Sequence, residues 1–378
     1  MNNLLIKESK LYRPTWAEIN LSAIDYNLKL VKKIVGPRVK VLAVVKSDAY
    51  GHGMLRVAHR IVKEIDFLGV ASIDEAVCLR KSGIKKPLLI FESTFASHTK
   101  AIIDYDITPT VCSLDLVRSL NTNATKCKKK INVHIKVDTG MGRLGIWHEH
   151  ALDFIKKIRA FSYLNIEGLY THLPCADTDR KFTLNQISKF KELINKLRQG
   201  KIHIPLCHIA NSMGIIGYKE SHLNMVRPGL MLYGLYPKNS LISKVKLKSA
   251  LSLKSRIIFV KKIPKGRTIS YGATFTTLKT TVIATIPVGY NDGYLRSLSN
   301  KSEVIIDGER YKVAGRICMD QLMVNLGDSE FKVGKVVTLL GTNKNMTISA
   351  EELSRLAKTI PYEIVCAIGN SVPRFYKT

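Results

Sequence analysis

Lys40-Val41-Leu42-Ala43-Val44-Val45-Lys46-Ser47-Asp48-Ala49-Tyr50-Gly51-His52-Gly53 is the stretch whose reading decides the fold. Apolar residues run without alternation from Val41 to Val45 and stop at a lysine, the pattern of a strand covered on both faces. Lys46 therefore falls at the end of a buried strand. Gly51 and Gly53 turn the chain, and Leu55, Val57, Ala58, Ile61 and Val62 then recur at helical spacing within residues 54–64. Strand, loop and helix make the repeating unit of α/β enzymes, which keep their chemistry at this junction. A lysine at a strand end ordinarily reaches solvent along its stem. One partly desolvated beside other cations becomes a nucleophile, and Tyr50 lies close by in a glycine-rich turn that lets a ligand approach the backbone.

The same alternation extends outward. Residues 22–35 read as a first helix with Ser22 and Asp25 as a capping pair. Strand-like runs recur at 67–72, 87–93, 108–113, 131–138, 164–173, 204–210 and 223–227, with helical spacing at 73–82 (closed by Gly83), up to Asp106, at 114–120 and at 148–160. With the Lys46 strand these make eight, which predicts a (β/α)8 TIM-type barrel, an open doubly wound sheet being the alternative. Beyond Leu241 the runs at 250–260, 280–288, 302–313 and 335–340 are strand-like, with an Asp307-Gly308 hairpin signal and one helix at 349–358. A mostly antiparallel β domain is expected there. The lysine- and serine-rich connector Ser240–Lys248 marks the boundary, giving domains 1–243 and 244–378.

A chain of 378 residues with 46% apolar composition is long enough for two cores. Its formal charge of +29 raises nucleic acid as a partner, but the lysines are spread through every segment. The densest cluster, Lys126 and Lys128 to Lys130, reads as a solvated loop, and no basic stripe interleaved with aromatics supports a nucleic-acid partner. Seven widely spaced cysteines without a C-x-x-C pair read as reduced cytosolic thiols. The segment Met1–Tyr12 lacks a signal-peptide core, and no apolar run approaches the ~20 residues of a membrane helix. The expectation is a cytoplasmic protein without a membrane partner.

Unusual polar residues fall where the barrel strands end: Lys46 and Tyr50 after the first, Lys136 to Gly145 with Arg143 after the fifth, Thr171-His172 after the sixth, Ala210-Asn211-Ser212 after the seventh and Arg227-Pro228-Gly229 after the eighth. A barrel brings all of these to one rim. Taken singly, His172 reads as a structural histidine, and Arg143 or Arg227 equally as half of an ion pair or as a ligand contact. Together, Ser212 opening a short helix and the amides of Gly229 and Leu230 suit a phosphate cradle. A lysine nucleophile beside a phosphate cradle, with no metal-ligand spacing among the histidines, points to pyridoxal 5'-phosphate.

At these positions the chain resembles the alanine racemases, the barrel class of pyridoxal-phosphate enzymes. The resemblance runs through Val44-Val45-Lys46, Ala49-Tyr50-Gly51-His52-Gly53, Lys136 to Gly145, Thr171-His172, Ala210-Asn211-Ser212 and Arg227-Pro228-Gly229. It continues through Ser270 to Thr274, Val288-Gly289-Tyr290, Gly315 to Asp320 and Pro361-Tyr362-Glu363. It implies that Lys46 holds the cofactor covalently and is the base for the D-enantiomer. Tyr271 of a second subunit would be the base for the L-enantiomer, in a homodimer with shared sites. Two opposed bases suit racemisation, because a single base returns the proton to the face it came from.

The resemblance further implies that Tyr50, Ser212, Gly229, Leu230 and Tyr362 contact the phosphate, with Asn211 alongside Ser212. Arg143 would meet the cofactor's phenolic oxygen and the substrate carboxylate, and the Met319 amide would also bind that carboxylate. Arg227 would face the pyridine nitrogen and His172 would link Arg227 to Tyr271, while Lys136 matches a position often carbamylated. Tyr290 and Tyr362 would narrow the entrance to suit alanine. A racemase of another small amino acid such as serine is the alternative, and a barrel-type decarboxylase fits less well because Arg227 stands where an acidic partner for the ring is expected. Two departures touch substrate breadth and rate: Ser47-Asp48 stands where Ala-Asn is usual, and Leu173-Pro174-Cys175 follows His172 where Phe-Ala is common.

Overall fold

Strand β1 (Thr15–Asn20) leads into helix α1 (Leu21–Val35), capped by Asn20, whose Oδ1 accepts the Ala23 amide at 2.9 Å. Ser22 and Asp25 lie inside the helix rather than capping it, because the apolar periodicity Leu21, Ile24, Leu28, Val31 already begins at Leu21, which leaves the cap to Asn20. The parallel strands follow: β2 (Lys40–Val44), β3 (Phe67–Val70), β4 (Leu88–Ser93), β5 (Thr108–Val111), β6 (Ile131–Asp138), β7 (Leu164–Tyr170), β8 (Leu206–His208) and β9 (Met225–Val226). They pair in the order β9-β2-β3-β4-β5-β6-β7-β8. Strands β8 and β9 run side by side without a ladder. This seam is stitched by Asn224, which accepts the Cys207 amide and donates to the Pro205 carbonyl, each at 2.7 Å, and by the Arg227 amide on Ala210 O at 2.9 Å. The barrel is thus nearly closed, as the alternation of elements predicts.

The computed structural model describes residues 12–237 and 244–378. The N-terminal residues 1–11 and the connector residues 240–243 therefore lie outside the described residues. One compact unit consists of Asn27–Ala49 and Met54–Leu232 and holds the barrel; the other takes the N-terminal segment through Tyr26, Tyr50–Gly53 and Tyr233–Thr378. Strand β1 thus joins the β-rich unit and not the barrel with which chain order groups it.

Helices α2 (Met54–Ile61), α3 (Ile73–Lys81), α4 (Thr99–Asp104), α5 (Leu114–Lys126), α6 (Ala151–Ile158), α7 (Arg180–Gln199) and α8 (Ser212–Gly217) alternate with the strands. Every residue of Val41–Val45, Phe67–Val70 and Thr108–Val111 is buried, as strands covered on both faces require. Helix α3 ends where Gly83 was expected to close it: φ there is +91° and its amide reaches Arg80 O at 3.0 Å. Helix α7 does not stand out in the sequence because it is dominated by polar residues. Its buried side, Thr183, Gln186, Ile187, Phe190, Leu193, Ile194 and Leu197, nevertheless has the 3.6-residue spacing.

The stretch after β2 departs from the sequence expectation. The strand stops at Val44 rather than Lys46, and Ser47, Asp48, Ala49 and Tyr50 all have φ between +52° and +55°. With the Ala49 amide on Val45 O at 2.9 Å, this is one turn of left-handed helix built from residues other than glycine. Such a conformation costs about 1–2 kcal/mol per residue. Nothing in residue type announces it; it persists only where surrounding bonds hold it. Asp48 contributes one, its Oδ1 accepting the Met54 amide at the start of α2 at 2.7 Å.

The β-rich unit adds β10 (Leu251–Arg256), β11 (Phe259–Ile263), β12 (Thr281–Ile286), β13 (Glu303–Ile306), β14 (Glu309–Val313), β15 (Leu322–Gly327), β16 (Val336–Asn343) and β17 (Arg374–Lys377). The sheet runs β11-β12-β15-β14-β13-β16-β10-β1-β17, antiparallel except for β1 with β17. The expected single run at 250–260 is two strands, separated at Ile257-Ile258. Asp307 and Gly308 have φ of +56° and +91°, the tight hairpin their pairing predicts. Helices α9 (Ala350–Ala357) and α10 (Pro361–Cys366) pack in the same unit. Gly51 and Gly53 are glycines for want of room: a Cβ on Gly51 would lie 2.4 Å from Val365 O, and one on Gly53 would overlap the Tyr376 hydroxyl. Among the described residues no helix is long and apolar enough to cross a membrane.

Candidate active site

Period-2 alternation on β6 sends His134, Lys136 and Asp138 to one face, and all three are buried. The Asp138 carboxylate is consumed by the loop that follows, accepting the amides of Gly140, Met141 and Gly142 at 2.8 Å each. It shapes the Arg143 loop and leaves little capacity to pair with Lys136. Burial, reinforced by Arg227 and Arg143, holds the Lys136 amine well below the ordinary ammonium range.

Arg227 is buried after β9, and burial pulls its guanidinium down to about 10, still protonated at neutral pH. Nη2 donates to Thr171 O at 2.6 Å and Ile209 O at 2.8 Å, and Nη1 to His208 Nδ1 at 2.7 Å. Because arginine can only donate, His208 Nδ1 must accept, and the remaining tautomers follow. His208 Nε2–H donates to His134 Nδ1 at 3.0 Å, and His134 Nε2–H donates to Glu167 Oε2 at 3.3 Å. Tyr170 stacks on His208 with ring centroids 4.8 Å apart and bonds Thr110 Oγ1 at 2.7 Å. Gly168 makes room for this chain, since a Cβ there would lie 2.4 Å from the His134 ring. His134 and His208 were not among the sequence candidates; a mid-strand glycine and histidines at alternating strand positions were the available signal.

No hydrogen bond joins His172 to Arg227 among the described residues. The expected linkage is corrected: His208, on the neighbouring strand, is the arginine's imidazole partner. His172 sits among four basic groups instead. Burial, then Lys136, Arg227, Arg143 and Lys46, holds it well below the usual imidazole range, so it is neutral. The electrostatic influence of Lys46, Lys136, Arg143 and Arg227 on His172 puts these four basic residues in its neighbourhood. Gln186 on α7 ties this region together, donating to Thr139 Oγ1 at 3.3 Å and His172 O at 3.4 Å, while Thr139 bonds Thr171 at 2.8 Å.

Ser212 and Gly229 also come together. The Ser212 hydroxyl accepts the amides of Gly229 and Met231, each at 3.2 Å, binding the loop after β9 to the start of α8. Asn211 caps α8 by accepting the Gly214 amide at 3.0 Å and donates to Leu173 O at 3.1 Å. The remaining candidates belong to the β-rich unit. Tyr50 is buried there, its ring 4.9 Å from Tyr233 and 5.9 Å from Tyr362, and burial raises its phenol far above the usual range. Tyr271 and Met319 are 71% and 55% exposed. Their loops are fixed all the same: Ser270 Oγ donates to Arg316 O at 2.6 Å, the Tyr290 amide to Cys318 O at 3.2 Å and the Asn291 amide to Met319 O at 3.0 Å.

The neutral histidines set an acid limit. His134 and His208 are fully buried, and burial lowers both. Below about pH 6.5 the unfolded chain takes up protons that these folded histidines refuse, so stability must fall with pH. Each should contribute a slope of up to about 1.4 kcal/mol per pH unit in that window. Urea unfolding between pH 7.5 and 5 is expected to show this loss, and to show less of it in His134→Gln.

Four basic groups near a neutral histidine at the end of a parallel barrel where its strands run out, beside a hydroxyl-tied loop pair, form the arrangement of a barrel enzyme. The family models named Alanine racemase, N-terminal domain, and Alanine racemase, C-terminal domain, match residues 19–237 and 250–376. An alanine racemase of Halothermothrix orenii is 44% identical over 97% of this chain and 98% of its own. The solved alanine racemase of Clostridium difficile 630 superposes with a TM-score of 0.91 at 38% identity, covering 97% of both chains. That of the D-cycloserine producer Streptomyces lavendulae reaches 0.93 at 30%, covering 98% of both. The chain belongs to the alanine racemase family and is an isomerase.

Proposed function

We propose that the chain interconverts L- and D-alanine with pyridoxal 5'-phosphate held through Lys46, as a cytoplasmic homodimer supplying D-alanine for peptidoglycan. The observation that carries this reading is the surplus of positive charge: Lys46, Arg143 and Arg227 act on one neutral histidine beside Lys136, whose burial disfavours its charged form, while the carboxylate on the same strand as Lys136, Asp138, is spent on three amides. A phosphate, a phenolate and a substrate carboxylate are the anions such a donor set fits. Ser212 with Gly229 and Leu230 would hold the phosphate, with Tyr50 and Tyr362 adding hydroxyls.

When bound, the cofactor supplies an electron-withdrawing ring conjugated to the substrate amine, which acidifies its Cα–H. The chain's own groups do the rest. Arg227, fixed by three acceptors through Nη1 and Nη2, has Nε left over, which would face the ring nitrogen of a bound cofactor without giving up its proton. That keeps the ring a modest electron sink and disfavours side reactions. Arg143 orients the substrate carboxylate with the Met319 amide. Lys46 moves the proton at Cα on one face and Tyr271 on the other, with neutral His172 as the group we assign to orient the phenol. Tyr271 and Met319 are large, exposed and rigidly held, which suits side chains that a second subunit covers. Lys136, whose burial disfavours its charged form, would be open to carbamylation, and the resulting anion would give Arg143 a partner.

Incubation with L-alanine in deuterated water tests the reading. D-alanine formation together with deuterium at Cα is expected, and L-serine run in parallel measures substrate breadth. Absence of both products in protein that retains its bound cofactor would defeat the proposal.

A further inference from the structure

One carboxylate restrains the backbone next to Lys46. Glu75 Oε1 accepts the Ser47 amide at 2.6 Å, and Oε2 accepts the Ala71 amide at 2.8 Å. Both amides lie past the ends of their strands, since β2 stops at Val44 and β3 at Val70, so the side chain extends the β2–β3 pairing after the ladder has run out. Glu75 is itself anchored as the third residue of α3, its amide donating to Ser72 Oγ at 3.4 Å. At Ser47 the chain enters the left-handed turn with φ of +54°. A backbone that must change handedness directly after a functional lysine needs a restraint at that bond, or the lysine's Cα–Cβ direction drifts with it.

We propose that Glu75 is a positioning residue for Lys46: by bridging the Ser47 and Ala71 amides it fixes the direction in which the Lys46 side chain leaves β2, and so places its amine at the reacting carbon. The proposal rests on the reading that Lys46 holds the cofactor and moves the proton. A carboxylate is required because each oxygen accepts one amide. Glutamine has the same volume but one acceptor, and its NH2 group would face an N–H donor.

Residue-resolved amide exchange on the holoenzyme gives the first test. Ser47 is an exposed residue, yet its amide is expected to exchange at least about 100-fold slower than a free peptide amide. In Glu75→Gln that protection should fall by about tenfold or more, and the pH titration of the lysine-bound cofactor's absorption should shift. The kcat is expected to drop on the order of 10- to 100-fold with KM little changed. Ser113→Ala, which removes the cap that accepts the Leu116 amide in α5, controls for general destabilisation. It should lower Tm but leave the Ser47 exchange and the absorption titration unmoved.

An unprotected Ser47 amide in the wild type, or a Glu75→Gln titration that coincides with the wild type, overturns the proposal. Should Glu75→Gln fail to fold, the wild-type exchange still decides. Should the wild type take up no cofactor, the functional reading fails separately, while exchange at Ser47 still reports whether the clamp exists.

Discussion

Lys46→Ala is expected to lower racemisation by about 10⁴-fold or more, because one substitution removes both the covalent attachment of the cofactor and a proton carrier. The fold should survive, since the lysine lies beyond the end of β2 and the left-handed turn is held by other groups. Two measurements separate the effects. Chiral product analysis reads the rate, and the visible absorption of the protein reads the covalent link, which must vanish even where the cofactor remains bound through its phosphate. Activity within tenfold of wild type would remove Lys46 from both roles. Circular dichroism and Tm close to wild type would show that the loss is chemical.

Tyr271→Phe should act on one face alone. Proton abstraction from L-alanine is expected to slow by about 10²- to 10⁴-fold, the usual worth of a positioned base, while abstraction from D-alanine by Lys46 persists. Steady-state rates cannot show this, since both directions must respect the overall equilibrium. Single-turnover loss of deuterium from Cα-labelled L- and D-alanine can. Equal slowing of both would contradict two opposed bases. The exposed position of Tyr271 adds a second reading: mixing Lys46→Ala and Tyr271→Phe chains should restore activity if each site is shared between subunits. No recovery, with subunit exchange verified, would place each site within one chain.

The barrel was legible because its strands are nearly continuous apolar runs, covered on both faces, alternating with helical spacing, and each strand end carried its own unusual polar residue. What escaped were features that no local pattern encodes. The left-handed turn at Ser47 to Tyr50 is fixed by tertiary bonds to ordinary residue types, so it leaves no mark in the sequence. His134 and His208 lie inside strands, where a histidine is ordinarily packing; only the donor-only character of Arg227 makes them a directed chain. His172 held the attention because it follows a strand, yet the arginine bonds the residue that its neighbouring strand buries. Asp48, which stands in the sequence where Asn is usual, accepts the first amide of α2.

The seam between β8 and β9 gives Arg227 a mechanical meaning. Its backbone amide and its Nη2 both reach carbonyls of the segment that follows β8, Ala210 and Ile209, across the join where no ladder exists. The same residue is therefore a rivet in the hoop as well as a charge in the site. A shorter cation such as lysine would strand buried acceptors at the ends of β7 and β8, so a change of charge at this position also loosens the wall that bears it.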